Sequence, residues 1–376
     1  MIVYIISNTF KSVAFEIIAD GVKNKGVYYI LIQSEPNTPF TNYLSNKGIE
    51  YQTILTTSRL SLIRAFFKTL FLLLKLKPCI VHTHLREANF LGLTAAWLSG
   101  VKNRIYTRHH STFNIEYYPR EVKWDKYLNK ISTKIISISK NVTNVLLNEE
   151  NVSARKVVEI PHGFYLDEYK VKSQDEIDNI KLKYNLDRNI YPIIGVVSRY
   201  LKLKGIEYII EAFAEYKKRY PNAHLVLANA KGIDQVEVKN QLNGMLNQED
   251  YTEILFENDV FGLYNLFDYF VHVPINNKVE AFGQVYIEAL ATAVPSVFTI
   301  SGIANEFVED EYNALVVQYK NSKAIYDALI KLSENAQLRA RLKENGLKSI
   351  QRFSHLGYIE NHLNLYNQLC HQKDKK

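Results

Sequence analysis

Short runs of β-branched and aliphatic residues alternate with longer amphipathic segments along most of the chain. Ten of these runs have the length and composition of strands, at residues 2–6, 28–32, 80–84, 104–107, 134–139, 193–198, 224–228, 252–256, 269–273 and 296–299. Segments of helical periodicity lie between them, for example at residues 204–219, 284–293 and 324–332. Strands that alternate with helices indicate parallel sheets, so the pattern predicts an α/β fold with enough strands for two sheets.

The length of 376 residues fits two domains, or three, at the usual size of about 100–200 residues each. We predict one doubly wound domain over residues 1–168, a second over 169–353, and a last helix within 354–376 that packs back toward the first. The polar stretch 170–189 predicts a linker followed by a helix that opens the second domain. Ligands of doubly wound sheets bind outside the carboxyl ends of the strands, so functional residues are expected just after the strands, at a cleft between the two domains.

The composition limits the class of protein. With 47% hydrophobic and 23% charged residues, the chain can bury a core and is not disordered. Two cysteines, Cys79 and Cys370, cannot build a disulfide framework, and no Cys/His pattern suggests zinc, which favours a reducing, cytoplasmic location. Residues 1–6 predict a strand rather than an export signal, and the most apolar stretch, 65–76, is too short to cross a bilayer.

The net charge of +7 is concentrated in one part of the chain. Residues 51–140 contain 15 Lys and Arg against four Asp and Glu, a net +11, so the remainder carries −4. This excess favours an anionic partner: a phosphate-bearing substrate, acidic lipid headgroups or nucleic acid. Charge alone is equally consistent with solvated lysine-rich surfaces. Nucleic acid is the weakest of the three partners, because no nucleic-acid-binding motif accompanies the charge.

The common phosphate-binding motifs are absent from the sequence. No two glycines are separated by a single residue, so there is no G-x-G-x-x-G, and neither G-K-[ST] nor D-x-D occurs. Dinucleotide oxidoreductases and P-loop NTPases are therefore disfavoured. A bound diphosphate would be held by basic side chains and helix N-termini instead of a metal ion.

Two segments of the second half combine charge with a turn into a helix. Arg199 and Lys204 follow a predicted strand, and Gly205 opens the next helix, whose N-terminus carries positive partial charge. In residues 280–290, Glu280 lies in a loop and Glu288 within the following helix. Phe282 and Gly283 form a tight turn into this helix, where backbone N–H groups can approach a ligand closely.

Together these segments resemble the retaining glycosyltransferases of family four (glycosyltransferases group 1), which have the GT-B architecture of two facing Rossmann-like domains. Further matches in the same order are residues 78–84, 106–109, 136–140, 158–163, 294–297, Gly302, Glu306 and 313–316. The resemblance covers nearly the whole chain. The chain departs from the family pattern after the first strand, at residues 229–232, at His162 and at Ser301.

The resemblance implies a role for each candidate residue. Arg199 and Lys204 would hold the donor diphosphate and neutralise charge as the sugar bond breaks. Glu280 would contact the donor sugar and Glu288 the ribose hydroxyls. Phe282, Gly283 and Gln284 would complete the substrate-binding set. His109 would face the sugar from the first domain; register with Thr107 favours it over His110.

The resemblance further implies a hexosyltransferase that acts without metal or other cofactor and retains the anomeric configuration, with residues 1–168 binding the acceptor and 169–353 the donor. The donor would be a nucleotide diphosphate sugar, and the acceptor a bacterial cell-envelope polysaccharide, lipopolysaccharide or lipid-linked saccharide. We expect a cytoplasmic protein at the inner face of the membrane. Two alternatives stay open: a nucleotide-sugar epimerase of the same fold, and a noncatalytic nucleotide-sugar or polyanion-binding protein.

Two features of the first half have both a structural and a functional interpretation. The density of His82, His84, His109 and His110 suggests a metal site, but strand-end histidines that are structural or contact substrate are the favoured interpretation. Residues 59–76 predict an amphipathic helix. Its apolar positions Ile63, Phe66, Phe67, Leu70 and Leu74 are expected to pack on the sheet, while Arg64, Lys68 and Lys75 are candidates for contact with anionic lipid.

Overall fold

A computed structural model describes residues 1–169, 172–186 and 189–371. The chain divides into two compact units. The first contains Met1–Phe164 together with the chain from Phe353 onward, and the second contains Tyr165–Arg352. Of the predicted linker, residues 170, 171, 187 and 188 lie outside the described residues, as do residues 372–376 of the predicted last segment.

The first unit contains a parallel sheet of seven strands among its described residues, in the order β3-β2-β1-β4-β5-β6-β7. Its strands are β1 (Ile2–Ser7), β2 (Val27–Gln33), β3 (Tyr51–Leu55), β4 (Ile80–His84), β5 (Asn103–Arg108), β6 (Lys134–Ser137) and β7 (Val157–Glu159). Its helices are α1 (Val13–Val22), α2 (Pro39–Asn46), α3 (Arg59–Leu76), α4 (Arg86–Leu98), α5 (Phe113–Tyr117), α6 (Val122–Ile131) and α7 (Lys140–Asn144).

The second unit repeats this plan with a parallel sheet of six strands in its described part, ordered β10-β9-β8-β11-β12-β13. Its strands are β8 (Ile193–Val197), β9 (His224–Ala228), β10 (Tyr251–Ile254), β11 (Tyr269–His272), β12 (Ser296–Phe298) and β13 (Leu315–Val316). Its helices are α8 (Gln174–Lys183), α9 (Ile206–Arg219), α10 (Gln235–Met245), α11 (Val260–Asn265), α12 (Gln284–Ala291), α13 (Ser322–Glu334) and α14 (Ala336–Ser349). The last helix, α15 (His355–His371), belongs to the first unit.

The order of strands confirms the predicted α/β class with two doubly wound parallel sheets. In each sheet the chain starts near the middle, winds outward to one edge and then returns to wind toward the other. The order therefore reverses between β1 and β4 in the first sheet and between β8 and β11 in the second. Such a reversal leaves a crevice at the carboxyl ends of the two strands, where ligands of doubly wound proteins bind.

The sequence pattern missed three strands, and all three lie at sheet edges. β3 and β7 close the two edges of the first sheet, and β13 closes one edge of the second. The central strand β1 is buried along its whole length, whereas β3 is mostly half-buried and β7 and β13 are only three and two residues long. An edge strand carries fewer buried apolar residues, so its sequence gives a weaker strand pattern.

The last helix returns to the first sheet through specific contacts. The backbone N–H of Phe164 donates a hydrogen bond to the carbonyl oxygen of Phe353 at 2.9 Å, where the chain re-enters this unit. On α15, the Tyr366 hydroxyl lies 2.7 Å from His82 Nδ1, and a disulfide joins Cys370 to Cys79 just before β4. One disulfide is not the framework of several bonds that the cysteine count excludes, but it does show that the two cysteines are paired. The cysteines therefore give no support to a reducing location.

The packing of α3 also differs from the prediction. Its buried residues are the small or medium-sized Ala65, Thr69 and Leu73, which face the sheet. Phe66 and Leu70 are half-buried against the core, as expected. The prediction is wrong for Ile63, Phe67 and Leu74, which are exposed. None of the described helices has the length and apolar character needed to cross a membrane.

Candidate active site

The predicted charged residues of the second unit lie around its strand-order reversal. Arg199 follows β8 and is exposed, and Lys204 ends the short turn that leads to α9. Glu280 lies in the loop between β11 and α12. Because β8 and β11 are neighbours in the sheet, their carboxyl ends place these two loops side by side.

Lys204 and Glu280 form a buried ion pair beside the carboxyl ends of β8 and β11, between Lys204 Nζ and Glu280 Oε1. The side chains are 16% and 10% exposed. His272, the last residue of β11, places Nε2 3.0 Å from the same carboxylate oxygen. The backbone N–H of Glu280 donates to Ser301 Oγ at 3.0 Å. We call these four residues the Glu280 cluster.

The electrostatics of the Glu280 cluster fix its protonation states. Burial alone would raise the pKa of Glu280, but the charge of Lys204 and the hydrogen bonds from His272 and Lys204 outweigh burial and hold this pKa well below its usual range. Burial lowers the pKa of His272, although Glu280 opposes the shift. At neutral pH the cluster therefore presents a carboxylate, an ammonium group and a neutral imidazole that donates to the carboxylate.

Two glycines allow the loops to approach one another this closely. Gly205 has φ 68°, and a Cβ there would lie 2.2 Å from the carbonyl oxygen of Val273, just after β11. Gly302 has φ 58°, and a Cβ would lie 2.5 Å from the Phe282 carbonyl oxygen and 2.7 Å from Glu280 Cβ. Only glycine combines a left-handed backbone with contact at these distances. The glycines thereby fix the position of the Glu280 loop.

The remaining predicted residues of this unit lie on the turn and first helical turns that follow Glu280. Phe282 is buried, and its carbonyl accepts a hydrogen bond from Ile303 N–H at 2.8 Å. Gly283, with φ 86°, caps α12, and Gln284 begins it and is exposed. This geometry holds the turn rigidly against the loop that follows β12.

Glu288 lies one turn further along α12, beside α11. The Tyr264 hydroxyl donates to its Oε2 at 2.9 Å. Burial raises the pKa of Glu288 to about 7, and the hydrogen bond from Tyr264 opposes this shift only in part. The structure therefore divides the predicted residues of the second unit into two environments, the Glu280 cluster and the Glu288–Tyr264 pair.

In the first unit, His109 lies just past β5 within a group of buried histidines. Its Nε2 is 3.1 Å from His84 Nδ1, and its ring stacks on His162 at 5.7 Å. Burial, with smaller contributions from His162 and His110, lowers the pKa of His109 to about 3, so the ring is neutral. A neutral imidazole can donate a hydrogen bond to a sugar hydroxyl or accept one from it, but it carries no charge.

His110 and His109 line the same cavity, of about 620 Å³, in the first unit. His110 Nε2 lies 3.2 Å from Asp125, whose pKa stays low because hydrogen bonds from His110 and the charge of Arg108 outweigh its burial. The cavity has an aromatic wall formed by Phe90, Phe113, Tyr118 and Trp124. No group of three or more His, Cys, Asp or Glu within residues 1–169, 172–186 and 189–371 is arranged to hold a metal ion.

Sequence reasoning missed the partners of the two glutamates: His272, Ser301 and Tyr264. His272 and Ser301 share a pattern that would have identified them, because both are polar residues at or just after the carboxyl end of a buried strand. Tyr264 lies on a short helix whose contact with α12 depends on tertiary packing alone, so the sequence contains no comparable pattern for it.

A fold of two doubly wound units with a cationic–acidic cluster at the strand reversal of the second is the architecture of GT-B glycosyltransferases. Comparison with protein families agrees: residues 178–349 match the family "Glycosyl transferases group 1", and residues 18–168 match "Glycosyltransferase Family 4". The chain therefore belongs to the group 1 glycosyltransferases of family four, and it is a glycosyltransferase.

Several known proteins resemble the chain over most of its length. The capsular polysaccharide biosynthesis glycosyltransferase CapM of Staphylococcus aureus is 26% identical over 327 residues, which cover 84% of this chain and 83% of CapM. Alpha-monoglucosyldiacylglycerol synthase of Acholeplasma laidlawii is 24% identical, with coverage of 80% and 78%. The crystal structure of Anabaena HepE in complex with UDP-glucose matches the fold with a TM-score of 0.83 at 18% identity, covering 98% of this chain and all of that one.

Proposed function

We propose that this glycosyltransferase moves a sugar from a nucleotide diphosphate sugar to a polysaccharide or lipid-linked acceptor. The observation that carries the proposal is the Glu280 cluster, which combines a cation and an ionised carboxylate at the strand reversal where doubly wound proteins bind nucleotides. The names of the relatives add support, because CapM acts in capsular polysaccharide biosynthesis and HepE was crystallised with UDP-glucose.

We propose that Arg199 and Lys204 bind the diphosphate. An ammonium group has three N–H donors, so Lys204 can retain Glu280 while it donates to a phosphate oxygen. As the sugar–phosphate bond breaks, negative charge grows on the departing diphosphate, and nearby fixed cations stabilise it. Protein cations then supply the stabilisation for which other transferases use a metal ion, which is the basis for proposing a metal-independent reaction.

The carboxylate of Glu280 is proposed to accept hydrogen bonds from the donor sugar. It is already bound to Lys204 and His272, which fixes its orientation and suits it to hold hydroxyl groups more than to attack the anomeric carbon. Without an enzymic nucleophile, the acceptor hydroxyl attacks the anomeric carbon on the face from which the diphosphate leaves. The hydroxyl proton passes to the departing phosphate oxygen, and the anomeric configuration is retained. Phe282, Gly283 and Gln284 would contact the sugar and phosphate through the turn, and Glu288 the ribose.

The first unit is proposed to bind the acceptor in the cavity beside His109. Aromatic side chains pack well against the apolar faces of sugar rings, and neutral histidines, Asp125 and neighbouring polar groups can bind hydroxyls. His109 would contact the donor sugar or the acceptor hydroxyl as a neutral hydrogen-bonding group. The acceptor would be an envelope polysaccharide or a lipid-linked saccharide, and the protein would work at the cytoplasmic face of the membrane.

The test begins with the full chain and a panel of uridine, guanosine and adenosine diphosphate sugars, screened by thermal shift. A ligand present at about 100 times its Kd adds about 2.7 kcal/mol of stability, which such a screen detects easily. Transfer is then measured with the selected donor and saccharide acceptors, and NMR of the product determines its anomeric configuration. We expect transfer that requires an acceptor, proceeds in the presence of EDTA and retains configuration.

The variant Glu280→Gln should abolish transfer while the chain stays folded. The matched control is Asp250→Asn, which breaks the Lys217–Asp250 pair (2.8 Å) before β10, at the amino end of the same sheet. This control should lose stability but not transfer. Conversion of the donor to an isomer without acceptor would identify an epimerase, and binding without turnover of any donor would identify a binding protein. Either outcome would refute the proposal.

A further inference from the structure

The outer face of α3 exposes five large apolar side chains in a row. Leu60, Ile63, Phe67, Phe71 and Leu74 are 59, 55, 62, 66 and 51% exposed. Their spacing of three or four residues keeps them on one face of a helix with 3.6 residues per turn. We call them the apolar stripe. Soluble surfaces rarely expose a continuous apolar patch of this kind unless it binds a partner.

The stripe lies on the side of α3 opposite the residues that face the sheet. Ala65, Thr69 and Leu73 form the buried side, as described above. The fully buried positions of this helix thus include the small Ala65 and Thr69, whereas two of its three aromatic residues, Phe67 and Phe71, face outward, the reverse of an ordinary surface helix. Folding of the first unit therefore leaves the stripe uncovered.

Basic residues flank the stripe along one side. Arg64, Lys68 and Lys75 are exposed and lie roughly 20–60° around the helix from Phe71, the stripe residue nearest to them, at about 100° per residue. Residues 51–86 contain no Asp or Glu, so no acidic residue of this segment offsets them. An apolar face bordered by cations is complementary to the surface of an anionic bilayer.

The helix that neighbours α3 also exposes large apolar side chains. α4 packs against α3, and its last two residues, Trp97 and Leu98, are 50 and 55% exposed. Tryptophan favours the interface between water and lipid, where its ring is buried and its N–H remains hydrated. A second copy of this chain would present the same positive charges, so charge complementarity favours lipid over self-association.

We propose that α3 lies in the plane of an anionic membrane, with the apolar stripe in the boundary between headgroups and acyl chains and Arg64, Lys68 and Lys75 at the headgroups. This surface also bears on the acceptor, an extension that rests on the proposed function. Leu62, in the first turn of α3, lines the cavity that contains His109. A lipid-linked saccharide held at the membrane would therefore reach the cavity beside the start of this helix.

The experiment is co-sedimentation of the full chain with phosphatidylcholine vesicles, with and without phosphatidylglycerol. We expect binding that requires phosphatidylglycerol and weakens with salt. Arg64→Gln/Lys68→Gln/Lys75→Gln should weaken it about a hundredfold, since each basic residue near an anionic surface contributes roughly a fivefold factor. Phe67→Ser/Phe71→Ser should lose at least about tenfold, because two large apolar groups no longer enter the interface. The control Leu255→Ser/Phe256→Ser removes side chains that are 62 and 66% exposed in the second unit and should bind like the parent.

Vesicle binding needs neither donor nor acceptor, so it is measured independently of catalysis. Transfer to a soluble saccharide should be unchanged in both α3 variants, and their thermal unfolding should match that of the parent because the substituted side chains are exposed. Equal binding by the parent and Phe67→Ser/Phe71→Ser, or equal binding to neutral vesicles, would overturn the proposal. So would a dimer in sedimentation velocity that this variant converts to a monomer, which would show that a second copy covers the stripe.

Discussion

The coupling energy between Lys204 and Glu280 measures how strongly the buried ion pair of the candidate site contributes to stability. Removing one partner of a buried ion pair leaves an uncompensated charge and typically costs about 3–5 kcal/mol. The loss of stability in Glu280→Gln should lie near the lower end of this range, because the amide oxygen of the glutamine can still accept a hydrogen bond from His272. Lys204→Met should cost about 3 kcal/mol, since it leaves the buried Glu280 carboxylate without the ammonium group that neutralises its charge.

The double variant Lys204→Met/Glu280→Gln should cost much less than the sum of the two single variants. Neither charge is left unpaired, so a coupling energy of about 2 kcal/mol is expected from the cycle. The assay is urea unfolding of the four proteins at neutral pH. The exposed pair Lys323–Asp327, with side chains 78 and 56% exposed, serves as the control cycle and should show no measurable coupling.

Equal coupling in the two cycles would refute this reasoning. It would mean that Lys204 and Glu280 are as well solvated as a surface pair, and that the carboxylate is not held in one orientation by the cluster. The assignment of Glu280 to sugar binding would then lose its structural basis.

Three further predictions concern other parts of the fold. Burial lowers the pKa of His109 to about 3 and those of His162 and His362 to about 4, below the unfolded value near 6.5. The unfolded chain therefore binds more protons, and stability measured by urea unfolding should fall from pH ~6.5 to pH ~4 by up to about 1.4 kcal/mol per pH unit per histidine; a flat profile would contradict it. Gly302→Ala should weaken donor binding and lower the free energy of unfolding by about 1–3 kcal/mol, because the new Cβ strains the backbone and contacts the Glu280 loop. Gly244→Ala, where a Cβ meets nothing within 4 Å, should leave stability unchanged or raise it, and equal effects of the two variants would count against the loop geometry. Cys79→Ser should cost about 2–4 kcal/mol under oxidising conditions, because the bond to Cys370 closes a loop of 291 residues, and dithiothreitol should abolish the difference from the parent; a difference that persists in dithiothreitol would assign the effect to packing.

The sequence predicted the central parts of the fold well because their physical causes are local. The run 2–6 is apolar throughout since β1 is buried on both faces, and the helix over 59–76 begins at Ser58, whose side chain accepts a hydrogen bond from Ser61 N–H. Edge strands such as β3 and β13 were not predicted, because a strand that is buried on fewer sides contains a mixture of apolar and polar residues. The helical period of α3 was correct, but its inward face was assigned by hydrophobicity alone. The structure shows that Ala65 and Thr69 face inward there.

The candidate site was predictable as a set of charges but not as a set of contacts. Lys204 and Glu280 are 76 positions apart, and nothing local indicates that they pair. Their contact follows from the order of strands, which makes β8 and β11 neighbours. The same holds for Cys79 and Cys370, which meet because α15 returns to the first unit. Long-range pairings depend on topology, and topology was available from the sequence only as a fold class.

The central claim is that Lys204, held in place by its ion pair with Glu280, binds the diphosphate of a sugar nucleotide. It is tested most directly by calorimetric titration of the nucleoside diphosphate selected in the donor screen into the parent, Lys204→Met and Lys217→Met. Lys217 pairs with Asp250 at the far end of α9 and provides a cation of similar burial as the control. We expect Lys204→Met to weaken binding at least about tenfold, the loss of one charge-assisted hydrogen bond, and Lys217→Met to leave it unchanged. Unchanged affinity in Lys204→Met, or an equal loss in both variants, would contradict the claim.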